Sequence, residues 1–257
     1  MPEVSAAFLE LGTVRLELLR AGPGPQAGPT LIYLHEGLGS AQDWTGLMLR
    51  LVTETGLGAV AYTRQGYGAS SPVERPRPLD YLEREARDVL PAILDALSIH
   101  RCVLIGHSDG ATIATLAAAT GDPRIHGAVL IAPHVFAEDV TLAGIEQAKA
   151  AFERGGLRRA LARRHDDVEG AFYGWCDAWL APLRRDWSIV PALCGVTVPI
   201  AIIQGDKDPY GSSRQAELIA QYSHGPVGIT NISDVGHFPH RDKPEIIEQE
   251  IMNLIRI

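Results

Sequence analysis

Hydrophobic and polar residues alternate from Ala6 to Leu11 and again from Thr13 to Leu19, the two-residue period of a half-buried strand. Gly12 between these stretches predicts an antiparallel hairpin. Ala21 to Pro29 is rich in Gly and Pro and is expected to be neither helix nor strand. From Thr30 onward the apolar residues gather into short unbroken runs, which predict strands buried on both faces of a parallel sheet. These runs are Leu31 to Leu34, Ala59 to Tyr62, Cys102 to Ile105, Ala128 to Ile131, Pro199 to Gln204 and Val227 to Ile232. Helical periodicity fills the intervals at Asp43 to Thr53, Leu79 to Leu97, Ala111 to Ala119, Arg214 to Tyr222 and Pro244 to Leu254. Strand and helix alternating in this way predict a doubly wound α/β sheet.

One interval breaks the alternation. From His134 to about Pro191 only helical patterning occurs, so residues 134–191 are expected to form a helical cap inserted into a core made of 1–133 and 192–257. Val168, Phe172, Trp175 and Trp179 recur at helical spacing and form one apolar stripe, which is expected to pack on the main body or to wall a substrate site. The interval carries eight basic and nine acidic residues, so the arginines from Arg154 to Arg164 read as a solvated helix face.

Composition narrows the classes of partner. The chain has 257 residues, 46% hydrophobic and 21% charged, enough to bury a large core. Its net charge of -8 repels a phosphate backbone or an anionic membrane surface, so neither nucleic acid nor membrane is an expected partner. No 18-residue apolar run occurs, and Met1-Pro2-Glu3-Val4 opens without a basic flank or apolar stretch, which points to the cytoplasm. Cys102, Cys176 and Cys194 are far apart and form no Cys-x-x-Cys pair, so they are expected to be buried, inert thiols. No metal or cofactor is called for.

The sharpest chemical signal is Gly106-His107-Ser108-Asp109-Gly110, a G-x-S-x-G between an apolar strand and a helix of small residues. An ordinary glycine-rich turn would share that spelling. The strand before it and the helix after it favour a strained turn that presents a serine hydroxyl beside a helix N-terminus. A serine needs a histidine to take its proton and a carboxylate to orient that histidine. Gly205-Asp206-Lys207-Asp208 and Asp234-Val235-Gly236-His237 each follow a predicted strand, so both would reach the crevice at the carboxyl ends of the strands. Asp208 is preferred to Asp206, which reads as a turn carboxylate. His237 is preferred to His240, for which pairing with Asp242 is a sufficient role. His107 is expected to pack under the turn and His35 to anchor its loop. Two backbone N–H groups are needed to stabilise charge on the carbonyl oxygen, and Asp109 with Gly37, in Leu34-His35-Glu36-Gly37-Leu38-Gly39-Ser40, would supply them.

With these residues the chain resembles the α/β-hydrolase superfamily along nearly its whole length, including Arg64-Gln65-Gly66-Tyr67-Gly68-Ala69-Ser70. The resemblance implies an eight-stranded, mostly parallel sheet with a lid after the sixth strand. It implies Ser108 as nucleophile, His237 as base, Asp208 as its orienting acid, and Gly37 and Asp109 as oxyanion donors. The small capped esterases, enol-lactonases and carbon–carbon bond hydrolases are the most similar branches. The chain departs from many relatives in having Glu36 after His35 and Asp109 after the serine, so two carboxylates flank the oxyanion position. The reading is therefore a serine hydrolase acting on a small, apolar or aromatic ester or lactone, with Glu36, His134, Trp175 and Trp179 as candidate substrate contacts. Carbon–carbon bond or thioester cleavage, and a non-enzymatic ligand receptor on the same fold, are its alternatives. A homodimer is compatible with it.

Overall fold

A computed structural model describes residues 2–255. Strands β1 (Val4–Leu11) and β2 (Val14–Ala21) form the expected antiparallel hairpin. β3 (Thr30–Leu34), β4 (Gly58–Tyr62), β5 (Cys102–His107), β6 (Ile125–Ile131), β7 (Ile200–Gly205) and β8 (Val227–Ile232) complete an eight-stranded sheet. The spatial order is β1-β2-β4-β3-β5-β6-β7-β8, with β2 antiparallel to β4 and every pair from β4 to β8 parallel. The chain reverses its direction of winding at β3, and this is where a doubly wound sheet opens a crevice.

The central strands are buried along their whole length, and alternate residues feed two cores. Leu31, Tyr33, Val103, Ile105, Val129 and Ile131 face Leu47, Met48 and Leu51 of α1 (Thr45–Thr55) on one side of the sheet. Ile32, Leu34, Leu104, Ala128 and Leu130 face the other, against α2 (Tyr81–Arg84), α3 (Leu90–Ala96) and α4 (Asp109–Ala119). Each fully buried aliphatic side chain contributes roughly 1.5–3 kcal/mol, which is why strand runs this short can carry the fold.

The helix expected over Leu79 to Leu97 is interrupted. Between α2 and α3 residues Glu85–Val89 form a wider π turn, because Pro91 has no N–H to return to the carbonyl four residues back. Two further expectations are corrected. The Gly/Pro loop contains a short 3-10 turn at Pro25–Ala27, with Pro25 at its first position. β8 lies at the edge of the sheet, where three of its six residues are exposed and only Ile232 is buried, rather than being buried on both faces.

Between β6 and β7 the chain forms helices α5 (Asp139–Glu153), α6 (Gly156–Leu161) and α7 (Val168–Leu180), followed by 3-10 turns at Pro182–Asp186 and Val190–Gly195. A single bridge, Phe136 to Ser188, closes the base of this segment. Gln215 of α8 (Arg214–Tyr222) fastens the segment's first residues: its Oε1 accepts the Val135 N–H at 2.7 Å and its Nε2 donates to the Phe136 carbonyl at 3.1 Å. The short α9 (Pro239–Asp242) leads into α10 (Pro244–Ile255), which returns Ile247 and Ile251 to the core shared with α1. Among the described residues no helix is long and apolar enough to cross a membrane. Cys102 and Cys176 are buried, but Cys194 is exposed, because its 3-10 turn runs over the surface.

Candidate active site

Ser108 stands between β5 and α4 with φ 53° and ψ -117°, a conformation a side-chain-bearing residue adopts only under constraint. The constraint comes from the glycines around it. A Cβ at Gly106 would lie 2.3 Å from the Gly110 carbonyl oxygen, and one at Gly110 would lie 2.1 Å from that of Leu34. Only with both side chains absent can the helix start this close to the strand ends, and the turn then lifts Ser108 out of the sheet. The first N–H groups of α4 point to the same place, as a helix N-terminus requires.

Asp208 follows β7 and His237 follows β8, and their side chains meet: His237 Nδ1 donates to Asp208 at 2.8 Å. The Asp208 carboxylate also accepts the Tyr210 N–H at 2.8 Å and Gln204 Nε2 at 2.9 Å. Burial alone would raise the Asp208 pKa, but His237 and the Tyr210 N–H together hold it below the ordinary carboxylate value. With Nδ1 committed to the carboxylate, the neutral His237 ring presents a lone pair at Nε2. Asp206 is exposed and accepts the Asp234 N–H at 2.7 Å, the action of a turn carboxylate. His240 is not paired with Asp242. It packs against Trp44 and His107 at ring-centroid distances of 5.2 and 4.6 Å, because α9 turns it inward.

The loop after β3 is held from below by two buried residues. His35 donates from Nδ1 to the Glu36 carbonyl at 2.7 Å and accepts the Arg64 N–H at Nε2 at 3.0 Å. The Arg64 guanidinium donates to the carbonyls of His35 and Glu36. The same loop carries the Gly37 N–H beside the cavity. Among the described residues neither it nor the Asp109 N–H is taken up by a hydrogen bond.

Ser108, His237, Gly37, Asp109, Glu36, His134, Trp175 and Trp179 all line one cavity of about 60 Å³. Asp208 stands behind His237, outside the lining. Among the described residues nothing hydrogen-bonds Ser108 Oγ, so serine and histidine share the cavity without a bond between them. The apolar stripe on α7 divides. Phe172 stacks on Phe152 at 3.8 Å inside the inserted segment, whereas Trp175 and Trp179 turn to the cavity. Trp175 lies on the Gly37 backbone, where a Cβ would be 2.1 Å from the indole nitrogen. His165, before α7, ties the same segment to the floor: Nδ1 accepts the Gly68 N–H at 2.9 Å and Nε2 donates to the Leu38 carbonyl at 3.0 Å.

The two unusual carboxylates have partners that the sequence did not suggest. Asp109 accepts the Tyr81 hydroxyl at 2.5 Å and the Trp179 indole N–H at 3.2 Å, and lies 3.9 Å from Arg64. Glu36 is 3.8 Å from His107 Nδ1 and 3.7 Å from Arg241. His107 does more than fill space under the turn, because its Nε2 donates to the His237 carbonyl at 2.7 Å and so braces the backbone that carries the base. Tyr210, Thr141 and Ile145 also line the cavity, and no spacing in the sequence marks them.

A mostly parallel eight-stranded sheet, a strained serine between strand and helix, and Asp and His loops at the same edge define an α/β hydrolase. The chain belongs to the alpha/beta hydrolase family, which it matches over residues 31–250. It is similar to human serine hydrolase BPHL, 28% identical over 86% of this chain and 77% of that protein. It is also similar to 2-(acetamidomethylene)succinate hydrolase of Mesorhizobium japonicum, 23% identical over 96% of this chain and 94% of the relative. Among solved structures, the enol-lactonase of Burkholderia xenovorans superposes with a TM-score of 0.76 at 19% identity, covering 98% and 100% of the two chains.

Proposed function

We propose that this hydrolase cleaves a short carboxylic ester or lactone through a serine acyl-enzyme. The observation that carries the reading is the Asp208–His237 bond at 2.8 Å behind the cavity that holds the strained Ser108. Ser108 Oγ attacks the carbonyl carbon as His237 Nε2 takes its proton, and the carbonyl oxygen gains negative charge facing the N–H groups of Gly37 and Asp109. The tetrahedral species collapses, the C–O bond to the alcohol breaks, and His237 returns the proton to the departing oxygen. Water then attacks the acyl-serine with His237 again as base, releasing the acid.

Residues 134–191 act as the cap in this reading, with Trp175 and Trp179 as the apolar wall of the acyl or alcohol pocket. Charge narrows the substrate further. Among the described residues the lining includes Glu36 and Asp109 and no Lys or Arg; with both carboxylates held by their own partners, no unpaired cation is left to receive an anionic group, which favours a neutral substrate. The test is hydrolysis of p-nitrophenyl esters of graded acyl length, aromaticity and charge, with Ser108→Ala protein as blank. Serine-dependent turnover that falls for carboxylate-bearing acyl groups is expected. Rates equal to the blank across the panel would overturn the ester reading in favour of carbon–carbon or thioester cleavage or a receptor.

A further inference from the structure

His134 follows β6 directly and belongs neither to the proposed triad nor to the oxyanion donors. Its backbone is fixed, the carbonyl accepting Thr112 Oγ1 at 2.7 Å. Its ring is 3% exposed and lines the cavity with Ser108 and His237. The ring centroid lies 5.8 Å from that of His237 and 5.6 Å from that of Trp179. On its far side the ring rests on Gly211, with Nδ1 3.5 Å from where a Cβ would stand.

Among the described residues, neither nitrogen of this ring has a hydrogen-bond partner. Nδ1 is wholly buried without one, Nε2 is not fully buried, and the residue lines the cavity. Other histidines around the site are engaged: His35 and His165 use both nitrogens, and His107 and His237 each use one. His240, which also has an orphaned Nδ1, does not line the cavity. A substrate that covers Nε2 with an apolar group leaves that atom desolvated and unpaired, at a cost of about 1–3 kcal/mol, whereas a hydrogen-bonding group in the same place replaces the water it displaces. Burial first, and then the neighbouring His237, push the His134 pKa down to about 4, so the ring is neutral at pH 7. A neutral imidazole can donate to a carbonyl or accept from a hydroxyl or amide N–H. Asp109, across the cavity, already has Tyr81 and Trp179 on its two oxygens.

We infer that His134 is a specificity-determining residue, and that the substrate is a short ester or lactone bearing a neutral hydrogen-bonding group, a hydroxyl or a carboxamide, close to the scissile bond. This rests on the serine hydrolase reading for the word ester, but the recognition itself is a binding property and is tested without turnover. In a Ser108→Ala background, ligand-observed NMR titration compares two pairs matched in size: methyl glycolate with methyl propanoate, and 2-hydroxyethyl acetate with propyl acetate. The hydroxyl member of at least one pair is expected to bind about tenfold more tightly than its methyl partner. Adding His134→Phe is expected to erase that preference, and His134→Gln, which keeps a donor and an acceptor, to retain part of it. Equal binding within both pairs, or a preference that survives His134→Phe in a folded protein, overturns the inference. The same pairs given to the wild-type enzyme separate the two claims. Absence of Ser108-dependent turnover would sink the ester reading, while the binding preference would still decide the role of His134.

Discussion

The floor and the roof of the cavity are built by different physics. The floor, from β3, β5, β7 and β8, is set by backbone geometry: a strained serine between two glycines, a loop whose carbonyls are tied to Arg64, and an Asp–His pair at strand ends. The roof, from α5 and α7, is set by individual side chains that reach down to it, Trp175 onto Gly37, Trp179 onto Asp109 and His165 onto Leu38. On the proposed function, chemistry belongs to the floor and selection to the roof. The roof is also seated on the loop after β3, whose Gly37 is a proposed oxyanion donor, so a change in one reaches the other.

The largest effect is expected on the floor. Asp208→Asn keeps the shape of the acid loop but lets Nδ1 accept a hydrogen bond and carry the lone pair, which presents the wrong tautomer at Nε2. A fall in kcat of about 10⁴-fold with an unchanged fold is expected, measured by steady-state kinetics and circular dichroism. The coupling is probed by Gly37→Ala, which places a methyl group against the Trp175 indole and displaces either the loop or the roof. A kcat loss of about 10²–10³-fold is expected, of the size of a lost oxyanion donor. Adding Trp175→Ala relieves the clash and is expected to restore part of kcat, whereas an unchanged loss would show that floor and roof act separately.

The smallest effect concerns stability, at His134 where the two meet. The unfolded chain protonates His134 near 6.5, but the folded protein holds its pKa at about 4. As pH falls between those values the unfolded state takes up a proton that the native state refuses, so stability is lost through that window, by up to about 3 kcal/mol. Denaturant unfolding at pH 7 and pH 4.5 is expected to show a smaller acid loss for His134→Phe than for wild type. An equal loss would mean that the ring is hydrated in the native state.

Much of the floor was legible in the sequence because its constraints are local. Gly106 and Gly110 must be glycine for the turn at Ser108 to close, and strands buried on both faces must be apolar throughout. The partners of Asp109 were not legible, since Tyr81 and Trp179 stand 28 and 70 residues away and nothing in their own surroundings marks them. Glu36 meets His107 and Arg241 only once β3, β5 and α9 are side by side. The misjudged residues, Cys194, His240 and those of β8, share this cause: their exposure is decided by which element covers them. The α7 stripe was ambiguous because both of its expected roles are present on one helix, packing at Phe172 and cavity wall at Trp175 and Trp179.

The central claim is that Ser108 is a covalent nucleophile activated by His237. Its most direct test is intact-protein mass spectrometry after treatment with a small fluorophosphonate, followed by peptide mapping. The account predicts one phosphonyl adduct per chain, on Ser108, formed fast in wild type, slowly in His237→Gln and not at all in Ser108→Ala. No adduct on the folded wild-type protein, or an adduct on another residue, would contradict it.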